Sequence, residues 1–477
     1  MRTIDRRTLL KQAALGLVAG STMTASSVAS GATPRSSVDV AIIGAGLSGL
    51  TAARDLKKAG LDNFIILEAR DRVGGRTLNA DIGGGHVFEM GGQWLGSFQT
   101  AVLDLMHELG LATFPSYNQG NTAIVSGSEV VLVNAAEIVD STLASALDAL
   151  ARDIPLDAPW THPRAAEFDA MTFADWLATR NIPADQAWSV RSGTLLTFGA
   201  PPEALSLLWV LFYVRSSGSY ADLEGAAGQG AQALRVVGGS QMISLRMAES
   251  LAAHLRLAAP VHRIRGWQDE GPCVLECATG SVTARRVILA LSPSQAQTIE
   301  FSPALPAQRA MLQQQWPGTA YALKTAMVYE KPFWRAAGLS GQSLTTETDD
   351  AYLFAWDNSP DDASLGVIAS FVDPRTNAQI SAAARRAALQ TAYARWLGPS
   401  AETPIGYHQQ YWAGETYTRG CVSPVPPGVL TRCGAALRVS SGVLEWAGSE
   451  TALLSNGYMD GAVRAGHDAA LRTLRAI

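Results

Sequence analysis

Charge is scarce in this chain: Asp, Glu, Lys and Arg make up only 17% of its 477 residues, against roughly 25% in ordinary soluble domains. Hydrophobic residues reach 47%, which excludes a disordered chain that could not bury enough apolar surface to fold. The 44 glycines and 22 prolines follow no repeat, so collagen-like and coiled-coil architectures are excluded as well. No basic block occurs beyond the first dozen residues and the formal net charge is −5; nucleic acid is not an expected partner. No later run reaches the roughly 18 apolar residues that a membrane span needs, so no membrane anchor is expected. Cysteine is rare too, with Cys273, Cys277, Cys421 and Cys433 only. The first two stand four apart in one predicted strand, too far to bridge at about 3.3 Å per residue. Neither a disulfide framework nor a metal site is predicted.

At about 150 residues per domain, the length corresponds to roughly three domains, or two built from discontinuous pieces. The amino terminus is set aside first. Arg2, Arg6, Arg7 and Lys11 precede a weakly apolar stretch, Ala13 to Ala32, rich in Ala, Gly, Ser and Thr. Residues 1–32 read as an export signal: Asp5-Arg6-Arg7-Thr8-Leu9-Leu10-Lys11 resembles the twin-arginine pattern, and Ser30-Gly31-Ala32 offers a small-residue cleavage site. Without this segment, which carries four cations and one anion, the formal charge falls from −5 to −8. A periplasmic or secreted location is the expectation. A twin-arginine substrate folds before export in a reducing compartment, which also argues against disulfides.

From Val38 the pattern becomes strand, glycine turn, helix. Val38 to Ile43 runs into Gly44-Ala45-Gly46-Leu47-Ser48-Gly49, an amphipathic helix continues to about Lys58, and a second apolar strand, Phe64 to Leu67, ends at Glu68. This opens a parallel sheet. Residues 116–231 carry long Ala/Leu/Trp-rich stretches and read as a mostly helical insertion, broken by a proline-rich segment from Ile154 to Pro163. Strands and turn glycines return over 236–299, mixed elements follow to about 429, and 444–477 reads again as strand, glycine turn and helix. The expected fold is α/β: a Rossmann-like dinucleotide-binding domain from 38–115, 232–300 and 430–477, and a substrate domain of mixed sheet and helices from 116–231 and 301–429.

Within the glycine turn, the first glycine permits a tight bend, the second lets a pyrophosphate reach the backbone, and the third lets helix pack on strand. The anion then meets the helix amino end. Glu68 at the end of the next strand is placed to accept hydrogen bonds from a ribose hydroxyl, and its charge disfavours a 2′-phosphate. A dinucleotide is predicted, either nicotinamide or flavin.

The run Glu68-Ala69-Arg70-Asp71-Arg72-Val73-Gly74-Gly75-Arg76-Thr77 resembles the extended flavin signature of the amine oxidase, protoporphyrinogen oxidase and phytoene desaturase superfamily. Gly74-Gly75 would bring backbone amides to the cofactor, and Arg76 a fixed cation. Further segments are similar to the flavin monoamine oxidases, over essentially all of 38–470. Glu89-Met90-Gly91-Gly92-Gln93-Trp94 resembles the family's flavin-contacting loop, and Val236-Val237-Gly238-Gly239-Ser240 the loop closing over the cofactor. Gln232 matches a substrate-facing glutamine, and Pro260-Val261 a strand meeting the adenine. Leu323-Lys324-Thr325 resembles the strand whose lysine holds a water at flavin N5. Read alone, Lys324 would be a surface charge; its apolar strand argues otherwise. The closing motif spans Trp446 to Thr451, with Gly448 and Glu450, and Gly457 to Ala462, with Tyr458 and Met459. In the family Tyr458 would wall an aromatic cage that strips water from the amine.

One segment departs from the family. Trp412 to Val422 matches its Trp, Tyr, Gly-Cys-Tyr spacing through Trp412, Tyr417 and Cys421, but Val422 replaces the second cage tyrosine. Cys421 stands where some members join sulfur to the flavin; read alone it is a small buried hydrophobe. The resemblance implies an FAD enzyme that oxidises a primary or secondary amine to an imine. Lys324, Tyr458 and Gln232 would be catalytic. Gly44, Gly46, Gly49, Glu68, Arg70, Gly75, Arg76, Gly92, Gln93, Trp94, Val261, Trp412, Tyr417, Gly448, Glu450, Met459 and Cys421 would face the cofactor. Oxygen or a periplasmic electron-transfer protein would accept the electrons, and a homodimer is left open. Two alternatives stand beside this: an L-amino-acid oxidase using Arg191 or Arg215 for the carboxylate, and a flavin-binding electron carrier without its own substrate.

Overall fold

The computed structural model describes residues 35–134, 141–180, 182, 184–268, 271–318, 323–346, 351–373, 380–420 and 422–477. The predicted export segment and Cys421 lie outside them.

Two large sheets organise the chain. The first has eight strands. At its centre Arg35–Ile43 runs parallel to both Phe64–Leu67 and Gly280–Leu289, and Leu444–Trp446 lies parallel to the end of the latter. Cys273–Cys277 and Val261–Arg265 extend the sheet antiparallel. Val40, Ala41, Ile42 and Phe64 to Leu67 are all buried, as a parallel sheet covered on both faces requires of its strands. The unbroken apolar runs of the sequence are the mark of that burial.

The second sheet has seven strands, in the spatial order Gly406–Tyr411, Leu323–Tyr329, Gly366–Val372, Phe354–Asp357, Leu339–Thr345, Asn121–Ser126, Glu129–Asn134. Here the mostly helical reading of 116–231 needs correction, because residues 121–134 form a hairpin at this sheet's edge. Val131 and Leu132 on it are about half exposed, so the alternation of buried and exposed residues that identifies a strand is absent there. The helices of that region run from Ser141–Ala151 to Tyr220–Glu224. Leu207–Ser217 is buried through Trp209, Leu211 and Phe212 within a helical layer with its own core.

The first helix among the described residues, Leu47–Lys58, and the last, Met459–Ala476, pack on each other over the first sheet. Small residues make this approach possible: Gly49, Ala52 and Ala53 are buried on the first helix, Ala465, Gly466, Ala469 and Ala470 on the last. Lys57 and Lys58 close the first helix where its dipole favours cations. The turn into that helix is tight. Gly44 has φ +101°, a conformation that side-chain-bearing residues rarely adopt, and a methyl added at Gly49 would lie 1.9 Å from the Gly44 carbonyl oxygen. Since that obstacle is backbone, Gly49→Ala is expected to force strand and helix apart and lower stability by about 1–3 kcal/mol, read as a lower thermal midpoint. An unchanged midpoint would show that the turn relaxes freely.

Candidate active site

A cavity of about 850 Å³ opens beyond the carboxyl ends of the first sheet's parallel strands. Ile43 and Gly44, Leu67 and Glu68, Ala290 and Leu291, and Gly448 line it, each at or just past a strand end. Open parallel sheets place their ligands at such ends. The far wall comes from the second sheet and the helical layer.

At the sheet end, Gly46 and Gly75 face each other so closely that a methyl on Gly75 would sit 3.3 Å from the Gly46 α-carbon. Two strips of bare backbone therefore floor the groove at a helix amino end, which suits an approaching pyrophosphate. Glu68 is buried and oriented by two amides: its carboxylate accepts hydrogen bonds from Ala45 N at 2.7 Å and Arg70 N at 2.9 Å. A carboxylate has about four acceptor positions, so capacity remains for a ribose hydroxyl. Pro260 and Val261 line the same end. These residues fit a dinucleotide, and the size of the cavity beyond them fits its flavin.

The arginines are more engaged than the sequence suggests. Arg76 lines the cavity but donates to Glu450 at 2.7 Å and to Ser449 Oγ at 2.7 Å. Glu450 is buried and acts on the cavity through Arg76. Arg70 bonds Glu415 at 3.2 Å and Thr418 Oγ1, with Tyr417 beneath its guanidinium. Arg72 donates to the carbonyls of Val73, Gly75 and Thr77, fastening the glycine loop. Burial, then the neighbouring Arg70, lower its pKa.

Lys324 lies within the second sheet's buried strand, 2% exposed. Its ammonium donates to the Gly91 carbonyl at 2.9 Å and to Gln93 Oε1, with the rings of Phe88, Trp94 and Trp356 around it. Gln93 in turn donates to Asn358 Oδ1 at 2.6 Å. Trp412 donates its indole N–H to the Met90 carbonyl at 2.8 Å. Gly92, Gln93, Trp94, Lys324, Trp412, Tyr417 and Met459 all line the cavity. The segment around Gly91 is thus held from the second sheet by an ammonium and an indole.

At the other end stand Tyr458, Val422 and Gln232. Tyr458 directly precedes the last helix, and its ring packs 5.9 Å from that of Tyr213. Val422 has φ +33°, an unusual conformation for a β-branched residue. Gln232 lines the cavity and donates to the Leu223 carbonyl at 3.1 Å, while its own amide oxygen is buried without a hydrogen-bond partner among the described residues. Sequence reasoning missed the aromatic and aliphatic wall from the second sheet, including Phe354, Trp356 and Phe371. It also missed Tyr220 and Glu224, whose spacing of four within Tyr220–Glu224 puts both on one side of a short helix. The arginines reserved for a substrate carboxylate are not here: Arg191 pairs with Glu203 at 2.7 Å near the surface, and only Arg70 and Arg76, at the cofactor end, line the cavity. The amino-acid-oxidase alternative therefore has no guanidinium at the substrate end among the described residues.

The family profile described as flavin containing amine oxidoreductase matches residues 47–474. Flavin-containing amine oxidase B of Sus scrofa is 33% identical, over 93% of this chain and 87% of its own. Among solved structures, a putrescine oxidase bound to putrescine superposes with TM-score 0.84 at 34% identity, over 93% of this chain and 100% of its own. Cyclohexylamine oxidase from Brevibacterium oxydans gives TM-score 0.84 at 32% identity, over 92% and 99%.

Replacing Lys324 by Met keeps volume while removing the donor to Gly91 and Gln93. The expected cost is about 1–3 kcal/mol of stability, with flavin retained and flavin reduction or reoxidation slowed. Thermal melting and stopped-flow absorbance check this; unchanged rates in both half-reactions would remove Lys324 from the chemistry.

Proposed function

This chain belongs to the flavin-containing amine oxidoreductase family, so it is an FAD-dependent enzyme of amine oxidation, and from that premise we propose how its own residues select the amine and where it works. The observation that carries the reading is that Tyr458 and Val422 both line the cavity, Val422 standing where the family's second cage tyrosine would, together with Phe354, Trp356 and Phe371 of the second sheet.

When bound, FAD supplies the hydride acceptor. The remaining work falls to the protein. Gly44, Gly46, Gly75 and Glu68 would hold the dinucleotide, with Arg76 fixed beside it by Glu450. Tyr458 and the apolar wall exclude water from the amine, which favours the neutral form whose lone pair is free. Gln232 lines the cavity, and its amide, whose oxygen has no hydrogen-bond partner among the described residues, would supply an acceptor for an amine N–H. Loss of the α-hydrogen with its electron pair leaves an iminium, whose release of an N–H proton gives the imine that water splits into a carbonyl compound and ammonia or a smaller amine. Oxygen takes the two electrons and two protons and leaves as hydrogen peroxide; the oxidases among the structural neighbours support this acceptor.

One ring and a valine leave more width than two facing rings. The enzyme therefore prefers amines with an apolar or aromatic body to very small alkylamines, through burial at about 25 cal/mol per Å². Export by the twin-arginine route places it in the periplasm or outside the cell, supported by Arg6 and Arg7 ahead of the weakly apolar segment.

Tyr458→Leu should raise KM and slow anaerobic flavin reduction by about tenfold, and Val422→Tyr should penalise bulky amines more than slim ones. An amine panel followed by flavin bleaching reads both; an unchanged ratio of bulky to slim substrates in Val422→Tyr would remove residue 422 from the site. Replacing Arg6 and Arg7 together by lysine should leave active enzyme in the cytoplasm, measured by fractionation. Normal export of that variant would overturn the assignment.

A further inference from the structure

Three carboxylates line the cavity among the described residues: Glu68, Asp357 and Glu224. Two are committed. Glu68 is held by the amides of Ala45 and Arg70 at the cofactor end. Asp357 is saturated by Trp334 Nε1 at 2.8 Å, by both ends of the Arg335 guanidinium at 2.7 and 3.0 Å, and by Ser359 N at 2.9 Å. Glu224 is different. Its partners are neutral hydroxyls, Thr197 Oγ1 at 3.0 Å and the Tyr220 phenol. No cation pairs with it among the described residues; the cavity's cations, Arg70, Arg76 and Lys324, are occupied as described above.

Its placement is equally specific. Glu224 is enclosed by protein, and burial raises its carboxyl pKa against the lowering effect of the two hydroxyls. Even so it keeps accessible surface, and that surface belongs to the cavity wall. Gly193 passes over it with no side chain: a methyl there would stand 3.3 Å from the carboxylate. The carboxylate also adjoins the amine end, because Gln232 bonds the carbonyls on both sides of Glu224, Leu223 through its amide and Gly225 through its backbone N–H. A charge in such surroundings is costly unless a cation meets it.

We propose that Glu224 is the docking group for a second, non-reacting cation, so that the enzyme's preferred substrates are diamines or related dications whose apolar spacer crosses the cavity. This rests on the amine-oxidase reading of the site. One ammonium loses its proton and is oxidised beside Tyr458; the other stays protonated and pairs with the carboxylate, while Thr197 and Tyr220 keep donating to it. Discrimination between a diamine and the n-alkylamine of equal length then comes from one charge-assisted contact, on the order of tenfold to a hundredfold in affinity.

The test titrates oxidised, FAD-loaded enzyme anaerobically with linear α,ω-diamines of increasing length and with the matching n-alkylamines, following perturbation of the flavin spectrum and then its bleaching. Wild type should bind the best diamine at least tenfold more tightly than its monoamine. Glu224→Gln, which keeps shape and hydroxyl partners, should abolish that preference through the diamine alone, and Glu224→Asp should retain part of it. Equal affinities in wild type, or a preference that survives in Glu224→Gln, would overturn the proposal. The two readings fail separately: binding with a diamine preference but no bleaching would sink amine oxidation and leave the cation site standing, whereas bleaching without preference would do the reverse.

Discussion

A buried ammonium has to be met by acceptors, and much of this molecule is arranged around one that is. Lys324 enters from a strand of the second sheet and ends on the Gly91 carbonyl and the Gln93 side chain, which belong to the segment crossing from the first sheet. Moving such a charge out of water is tolerable only with hydrogen bonds and polarisable neighbours around it. The rings of Phe88, Trp94 and Trp356 supply the latter. The same contact ties that segment to the second sheet beside the cavity. Trp412 reinforces it from a third segment by bonding the Met90 carbonyl.

A similar economy governs the other charges. Glu89 and Arg235 pair at 2.8 Å with both groups nearly inaccessible, and Asn358 donates to the same carboxylate oxygen. Glu450 fixes Arg76, while Asp357 gathers Arg335 and an indole. Each of these charges is already paired within the protein. Scarcity of charge in the composition thus becomes definition at the site: where a carboxylate is left with hydroxyl partners only, it stands out electrostatically against an apolar wall.

The cofactor half of the fold was legible because its signals are local. Strand, Gly44-Ala45-Gly46, helix and Glu68 lie within three dozen residues, and the bare glycines that a pyrophosphate requires are visible as letters. The burial of Lys324 was legible for a related reason, its place inside an apolar strand. What could not be read depends on partners far away in sequence. The engagement of Arg76 by Glu450 spans 374 residues, and that of Arg70 by Glu415 spans 345. Glu224 looks like any helix-surface carboxylate until the segment carrying Gly193 is laid over it. The hairpin at 121–134 escaped because an edge strand with exposed Val131 and Leu132 lacks the alternation that reveals a half-buried one.

The central strand Arg35–Ile43 pairs with Gly280–Leu289, and that strand waits for Leu444–Trp446. On a ribosome adding about 5–20 residues per second, the interval between the last two is roughly ten to thirty seconds. Throughout it the first helix has no terminal helix to cover its small-residue face. The cofactor groove is therefore a product of the finished polypeptide and not of the emerging one. Until Met459–Ala476 is made that face stays uncovered, and a chain that stops before this helix lacks Met459 and Ala462 from the wall of the groove.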